Sequence, residues 1–295
     1  MVGYAARFEA ELAGLEFPGR VGIASWDLDE GVPVLRCPEV EVHSASTIKV
    51  LVMITALRAV AEGRLDLDRV VPLPASRTRG TGVLFEIPSV PAMSLRDLIN
   101  LMIVVSDNAA TNAVIDEVGF PAIAACTAGL GCTGTRVERH IMDTAAPGVL
   151  QTTALDQARV MAALARGEAL PPEQTRHALA VLSRQQVVDR IPLRLPEDAR
   201  CWNKTGEIKG LRHDVALLSA DDTPRVVLAV LVDQLTDPVS TKGYRGGDGV
   251  HAIAAVGEAA WRAMSQPSTG SQGVGSAEDD RRPLPGVPWR SSESR

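Results

Sequence analysis

The sequence predicts an α+β fold in which strands from both ends of the chain build one sheet and the middle of the chain builds a helical layer. Two patterns carry this expectation: β-rich runs bounded by turn residues lie near 20–36 and 200–234, and between them apolar residues recur at spacings of three and four. Size is a third, because 295 residues at 45% hydrophobic and 22% charged hold ample core for one large domain or two closely joined ones. The division expected is a sheet subdomain of 1–45 with 200–265, a helical subdomain of 46–199, and a tail of 266–295.

Residues 1–16 carry Arg7, Glu9, Glu11 and Glu16 among alanines and leucines, an amphipathic helix pattern. That stretch lacks the basic start and apolar centre of a secretory signal, so a cytoplasmic chain is expected, or a secreted one if a signal was removed. No apolar run is long enough to span a bilayer. Runs 20–28 and 32–36 flank Asp29-Glu30-Gly31 as a hairpin. From Ser46 the period changes, with Ile48, Leu51, Val52, Thr55, Ala56, Ala59 and Val60 on a helix that Gly63 closes. Ser94-Leu95-Arg96-Asp97 opens a helix toward Val105 with Asp97 in the place of the usual capping-box Glu or Gln. A second helix is expected from 106–108 to Gly119, others from Thr153 to Gly167 and over 173–186. Strand-like runs 200–208, 211–220 and 225–234 follow, then a helix over 250–264. Beyond Ser265 the composition turns to Ser, Gly, Pro, Asp and Arg. So little aliphatic surface cannot offset the entropy of ordering, and 266–295 reads as disordered.

A net charge of -6, no Lys/Arg-rich run and 3% aromatic residues argue against a nucleic-acid or anionic-membrane partner and point to a small molecule. Cys37, Cys126, Cys132 and Cys201 show no C-x-x-C spacing and no nearby histidine pair, so they read as reduced core thiols; no metal or other cofactor is expected.

Three short strings carry the chemistry: Ser46-Thr47-Ile48-Lys49, Ser106-Asp107-Asn108 and Lys204-Thr205-Gly206. A serine hydroxyl is a poor nucleophile near neutral pH and needs a base within reach. At i and i+3 of a helix Ser46 and Lys49 face the same way, and Lys49 becomes a base only if burial or neighbouring cations lower its pKa. The helix start also aims backbone N–H groups at the reacting centre. Ser106 and Asn108, two apart, suit a proton relay and a partner for a substrate amide. On a strand edge, Lys204 and Thr205 suit a carboxylate, Gly206 admits close approach, and Arg212 on the next strand offers a second cation. Each string alone also reads as ordinary structure: a capping serine, an N-cap, a charged edge strand. Together, in this order and on these elements, they read as one site.

Around these motifs, and over most of residues 15–264, the chain resembles the class A β-lactamase-related serine hydrolases. Supporting stretches are Arg20-Val21-Gly22-Ile23-Ala24, residues 98–111 and residues 204–218. The resemblance implies the penicillin-recognising fold, an antiparallel sheet domain from both chain ends packed on a helical domain with the site between them. It implies Ser46 as the acylated nucleophile, Lys49 as its base, Ser106 as proton relay and Asn108 as substrate clamp. Lys204 and Thr205 would bind a substrate carboxylate, and the backbone N–H groups of Ser46 and Glu207 would form the oxyanion hole.

One position departs. Class A enzymes carry a glutamate two residues beyond an arginine to activate the deacylating water, and in Thr135-Arg136-Val137-Glu138-Arg139-His140-Ile141-Met142-Asp143 that place falls on Ile141. Asp143 is the first substitute base and Glu138 the second; the alternative is that Asp143 pairs with Arg139 to hold the loop. His140 is either a base near pH 7 or polar surface. The activity expected is acyl-enzyme hydrolysis of a carboxylate-bearing β-lactam or other cyclic amide or ester. The rivals are an acyltransferase or D-Ala-D-Ala-type peptidase with slow release to water, and a non-catalytic binder of a carboxylate ligand.

Overall fold

The computed structural model describes residues 2–243 and 246–266. The stretch 267–295, expected to be disordered, lies outside the described residues. In chain order, α1 (Tyr4–Leu12) leads to β1 (Arg20–Asp27), β2 (Val34–Arg36) and β3 (Val42–His43). A 3-10 turn over Ala45–Ile48 runs directly into α2 (Lys49–Ala61). Next come β4 (Val70–Pro72), β5 (Ala92–Ser94), α3 (Leu95–Val104), α4 (Asn108–Val118) and α5 (Phe120–Gly129). Then β6 (Arg136–Val137), β7 (Leu150–Thr152), α6 (Ala154–Ala165) and α7 (Pro172–Leu182) follow. The chain closes with β8 (Arg200–Ile208), β9 (Leu211–Ser219), β10 (Val226–Asp233), α8 (Pro238–Lys242) and α9 (Asp248–Ser265).

The main sheet runs β2-β1-β10-β9-β8, and every pairing in it is antiparallel. Side chains alternate faces along a strand, so β10 splits its apolar residues between two cores. Val226, Leu228, Val230 and Val232 meet Tyr4 and Phe8 of α1 and Ile253 and Val256 of α9. Val227, Ala229 and Leu231 face the helical layer together with Ala24, Trp26 and Leu217. A sheet covered on both faces explains why β10 and the second half of β9, Val215 to Leu218, read as continuous apolar runs.

At the centre of the helical layer lies α2, with α3, α4, α5, α6 and α7 around it. Its residues from Lys49 to Leu57 are all buried. A helix apolar on every side belongs in a core, and this one carries its first residue, a lysine, into the interior. Ser46 therefore lies on the 3-10 turn that precedes α2 and not within the α-helix itself.

Several elements differ from expectation. The helix expected over 173–186 ends at Leu182, where Ser183 caps it and the Gln185 side chain leaves to donate to the Ile103 carbonyl at 2.8 Å. The small sheet β3-β7-β6, the pair β4-β5, and α5 have no counterpart in the sequence reading. All four cysteines are free thiols; Cys126 and Cys132 are buried, but Cys37 is exposed. Among the described residues no helix is long and apolar enough to cross a membrane, and no His/Cys/Asp/Glu group could hold a metal ion.

Candidate active site

The turn that carries Ser46 is strained. Ala45 sits at φ 47, a left-handed conformation that non-glycine residues rarely adopt, and such strain survives only where neighbours hold it. The Ala45 N–H donates to His43 Nδ1 at 3.0 Å, and the Thr47 N–H and hydroxyl donate to the Ser44 carbonyl at 3.2 and 2.7 Å. From the other side β8 closes on the turn at Gly206. A Cβ there would lie 3.1 Å from the Ala45 Cβ, the Ser46 amide nitrogen and Thr47 Cγ2, so any other residue would make the turn give way. Ser46, half-buried, opens into a cavity of about 620 Å³.

Lys49 enters the same region from below. It is fully buried, and its Nζ lies 2.7 Å from the Ser106 carbonyl, 3.0 Å from Ser106 Oγ and 2.9 Å from Asn108 Oδ1. Burial, and then the Lys204 ammonium, push Lys49 well below the usual lysine range, while Asp107 pulls the other way. Lys204 is also fully buried and donates to Ser106 Oγ at 3.1 Å and to the Thr205 carbonyl at 2.9 Å. The Ser106 hydroxyl thus stands between two lysine nitrogens.

The turn that offers Ser106 is likewise left-handed, with φ 57. Asp107 fixes it: one carboxylate oxygen caps α4 by accepting the Ala110 N–H at 2.9 Å, and the other accepts the Val83 and Leu84 N–H groups at 2.6 and 2.8 Å. The loop Arg79-Gly80-Thr81-Gly82 closes over Ser106 and Asn108. Thr81 donates its hydroxyl to the Ser106 carbonyl at 2.6 Å, the Asn108 N–H meets the Thr81 carbonyl at 3.0 Å, and Asn108 Nδ2 donates to the Arg79 carbonyl at 3.1 Å. Gly80 and Gly82 sit at φ 114 and 105, and a Cβ on Gly82 would overlap the Asp107 carboxylate. Asn108 is therefore a ligand of Lys49 as well as a residue of the cavity wall.

The expected site residues divide into two groups. Ser46, Ser106, Asn108, Thr205, Glu207 and Arg212 line one cavity, with Lys49, Lys204 and Gly206 packed directly behind it. Arg212 is less a reaching cation than expected: its Nη1 donates to the Ile208 and Leu211 carbonyls at 3.0 and 2.7 Å and its Nε to the Gly246 carbonyl at 3.2 Å. The Glu207 carboxylate turns to the buried Arg190, which leaves no unpaired carboxylate among the described lining residues.

Asp143 is not brought to Ser46. It is exposed on a neighbouring cavity with His140 and Asp116, and its carboxylate accepts the Ala146 N–H at 3.1 Å. The expected Asp143–Arg139 pair is corrected too, since Arg139 Nη1 donates to the Asp143 main-chain carbonyl at 2.9 Å. Glu138 accepts the Val149 N–H at 2.9 Å, and His140 Nε2 lies 2.8 Å from Asp116 Oδ1. Ile141 does face the cavity, pinned by its N–H on Asn112 Oδ1 at 2.9 Å. Sequence reasoning missed Thr81, His43 and Arg190. The glycines flanking Thr81 were the one local signal available, because a Gly-x-Gly loop marks backbone that must approach something closely.

The sequence model of the beta-lactamase enzyme family matches residues 5–264. A beta-lactamase from Sphaerobacter thermophilus DSM 20745 is 30% identical over 90% of this chain and 98% of its own, with a TM-score of 0.76. PBP-A is 24% identical over 88% of this chain and 95% of its own, at 0.77. A mutant of the class A beta-lactamase of the last common ancestor of Gram-negative bacteria is 25% identical over 87% of this chain and 98% of its own, at 0.76. No curated protein matches the chain.

Proposed function

The chain belongs to the beta-lactamase enzyme family and is a serine hydrolase of β-lactamase type, and from this we propose that it forms an acyl-enzyme on Ser46 with a carboxylate-bearing β-lactam or another cyclic amide or ester. The observation that carries the reading is the Ser106 hydroxyl held between Lys49 and Lys204, beside Ser46 in one cavity. Burial and a neighbouring cation favour a neutral Lys49, which can take the Ser46 proton. Ser46 Oγ then bonds to the carbonyl carbon, the ring C–N bond breaks, and the leaving nitrogen takes a proton that Ser106 relays. Lys204, Thr205 and Arg212 supply positive charge and donors for the substrate carboxylate, and the Ser46 and Glu207 amides the oxyanion hole.

Release is the slow step in this reading. Ile141 cannot act as a base, Asp143 lies on another cavity, and Glu207 is held by Arg190. The same observation favours a second reading, in which an amine or peptide replaces water as acyl acceptor. Intact-protein mass spectrometry after brief exposure to a chromogenic cephalosporin and to a penicillin tests both. A transient adduct with many ring openings per protein supports hydrolysis, and a lasting adduct that an amine discharges supports transfer. No adduct on the native protein, or one that persists in Ser46→Ala, overturns the assignment of Ser46.

A further inference from the structure

We infer that His43 is a positioning residue for the nucleophile: its ring, through Nδ1, holds the Ala45 amide that sets the left-handed turn in front of Ser46, and His213 holds His43 in turn. The inference rests on the reading of Ser46 as the acylated residue.

Three hydrogen bonds define the chain of contacts. The Ala45 N–H donates to His43 Nδ1 at 3.0 Å, so that nitrogen carries no proton and the neutral ring has its proton on Nε2. The His43 carbonyl oxygen, which can only accept, lies 3.0 Å from His213 Nε2, and this puts the His213 proton on Nε2. His213 Nδ1 is then free to accept the Val232 N–H at 3.2 Å. The same nitrogen lies 2.8 Å from the Arg212 carbonyl, a contact that needs a proton on Nδ1 and, in a neutral ring, would leave the His43 carbonyl facing a bare nitrogen. Thus β10, β9, β3 and the Ser46 turn are joined through two imidazoles.

The turn needs such a holder. Ala45 at φ 47 is unfavourable for a residue with a Cβ, and Gly206 presses on it from β8. Rotating Ala45 back to a common conformation would move the Ser46 amide and hydroxyl together. While Nδ1 accepts, Nε2 carries the ring proton, so His43, although it lines the cavity, is not a base there, and its part is played through the turn.

The geometry also makes the device acid-sensitive. An imidazolium has no lone pair on Nδ1, so a protonated His43 would set its own N–H against that of Ala45. Burial, and then Arg139 on the loop after β6, hold His43 below the usual histidine range. Gln151 opposite on β7 is uncharged, and Glu207 and Arg212 share the cavity wall. From β9, His213 is itself kept neutral, held at about 4 chiefly by burial, with the His43 and Arg212 carbonyls opposing, Arg190 lowering it further and Asp233 opposing.

The test follows adduct formation on Ser46 with a chromogenic cephalosporin across pH in the full chain, beside thermal unfolding. His43→Leu removes the acceptor and is expected to slow acylation about a hundredfold with little change in Tm. His43→Asn, whose amide oxygen can stand where Nδ1 stands and does not titrate, is expected to restore most of that rate and to make the acid limb shallower, leaving the single ionisation of Lys49 where the native protein shows two. A His43→Leu protein that acylates like the native one, or a His43→Asn protein whose acid limb is as steep as the native one, overturns the inference. Nitrogen-15 NMR of histidine-labelled protein reads the tautomer without any substrate, with His43 assigned by its absence in His43→Asn. A bare Nδ1 and protonated Nε2 on His43 are expected even if no β-lactam acylates the enzyme, and a protonated Nδ1 overturns the inference whatever the reaction proves to be.

Discussion

Lys49 and Lys204 both reach the Ser106 hydroxyl, and burial first, then the Lys204 charge, decides how Lys49 responds to pH. In the proposed mechanism acylation uses the neutral amine of Lys49, so its rate is expected to rise with pH through the Lys49 pKa. Lys204 lowers that pKa, and Lys204→Met is therefore expected to move the rise to higher pH, read as the adduct-forming rate at saturating substrate so that weaker binding does not enter. Ile141 gives the complementary experiment. It lines the same cavity as Ser46, and Ile141→Glu sets a carboxylate in an apolar wall, where burial raises its pKa toward that of a neutral-pH base. We expect deacylation to rise about a hundredfold, counted as turnovers after the acylation burst, at a stability cost of roughly 1–3 kcal/mol. Ser46, Lys49, Ser106 and Lys204 could be singled out in the sequence because the proposed chemistry needs those types together, and the fold brings them to one place. His43 and Thr81 were not, because a histidine two residues before a turn and a threonine in a loop have no pattern until the fold sets them against Ala45 and Ser106.

Elements were legible in proportion to their length and period. β8 was read with its observed bounds, and α3, α4 and α6 to within a few residues, since each has a capping residue or turn signal at its start. α5 was not, because Phe120–Gly129 is mostly alanine and other apolar residues and shows no stripe, and two- or three-residue strands such as β3, β6 and β7 show no alternation to count. The approach of β8 to the Ser46 turn yields a prediction at this scale. In Gly206→Ala the added Cβ must push three neighbours away from 3.1 Å contacts, so we expect a protein destabilised by about 1–2 kcal/mol whose acylation falls far more, about a hundredfold. β9 yields another, because His213 and Asp214 titrate in opposite senses. Burial lowers His213 from 6.5 to about 4, so its contribution is complete above 6.5 and is lost as pH falls toward 4. Burial raises Asp214 from 3.8 to about 6, so its penalty stands above 6 and is relieved as pH falls toward 3.8. Each amounts to roughly 3 kcal/mol, and they offset one another between pH 6 and 4. Asp214→Asn removes the relief alone. Denaturant unfolding at pH 7 and pH 4 should show the variant losing roughly 2 kcal/mol more than the native chain over that interval.

At the scale of the whole molecule, the chain and its cavity carry opposite charge. The sequence totals -6, yet Arg139, Lys209, Arg212 and Lys242 line the cavity against a single carboxylate among the described lining residues, Glu207, which Arg190 holds. A cleft of one sign in a body of the other focuses its field at the mouth, so an anionic substrate is repelled at a distance and drawn in only near the site. Lys209 and Lys242 are exposed, and their influence falls within a Debye length, about 10 Å at 0.1 M salt. Lys49 and Lys204 are wholly buried and far less screened. The two steps of the reaction should therefore separate with ionic strength. Raising salt from roughly 0.02 to 0.5 M is expected to lower the second-order rate of adduct formation with an anionic penicillin by roughly threefold to tenfold while the rate at saturation stays constant. Lys209→Glu with Lys242→Glu should lower the low-salt rate to a similar degree and flatten its salt dependence. A saturating rate that fell in step with the second-order one would instead mean that screening reaches the buried lysines, and that the interior charge on which Lys49 depends is open to solvent.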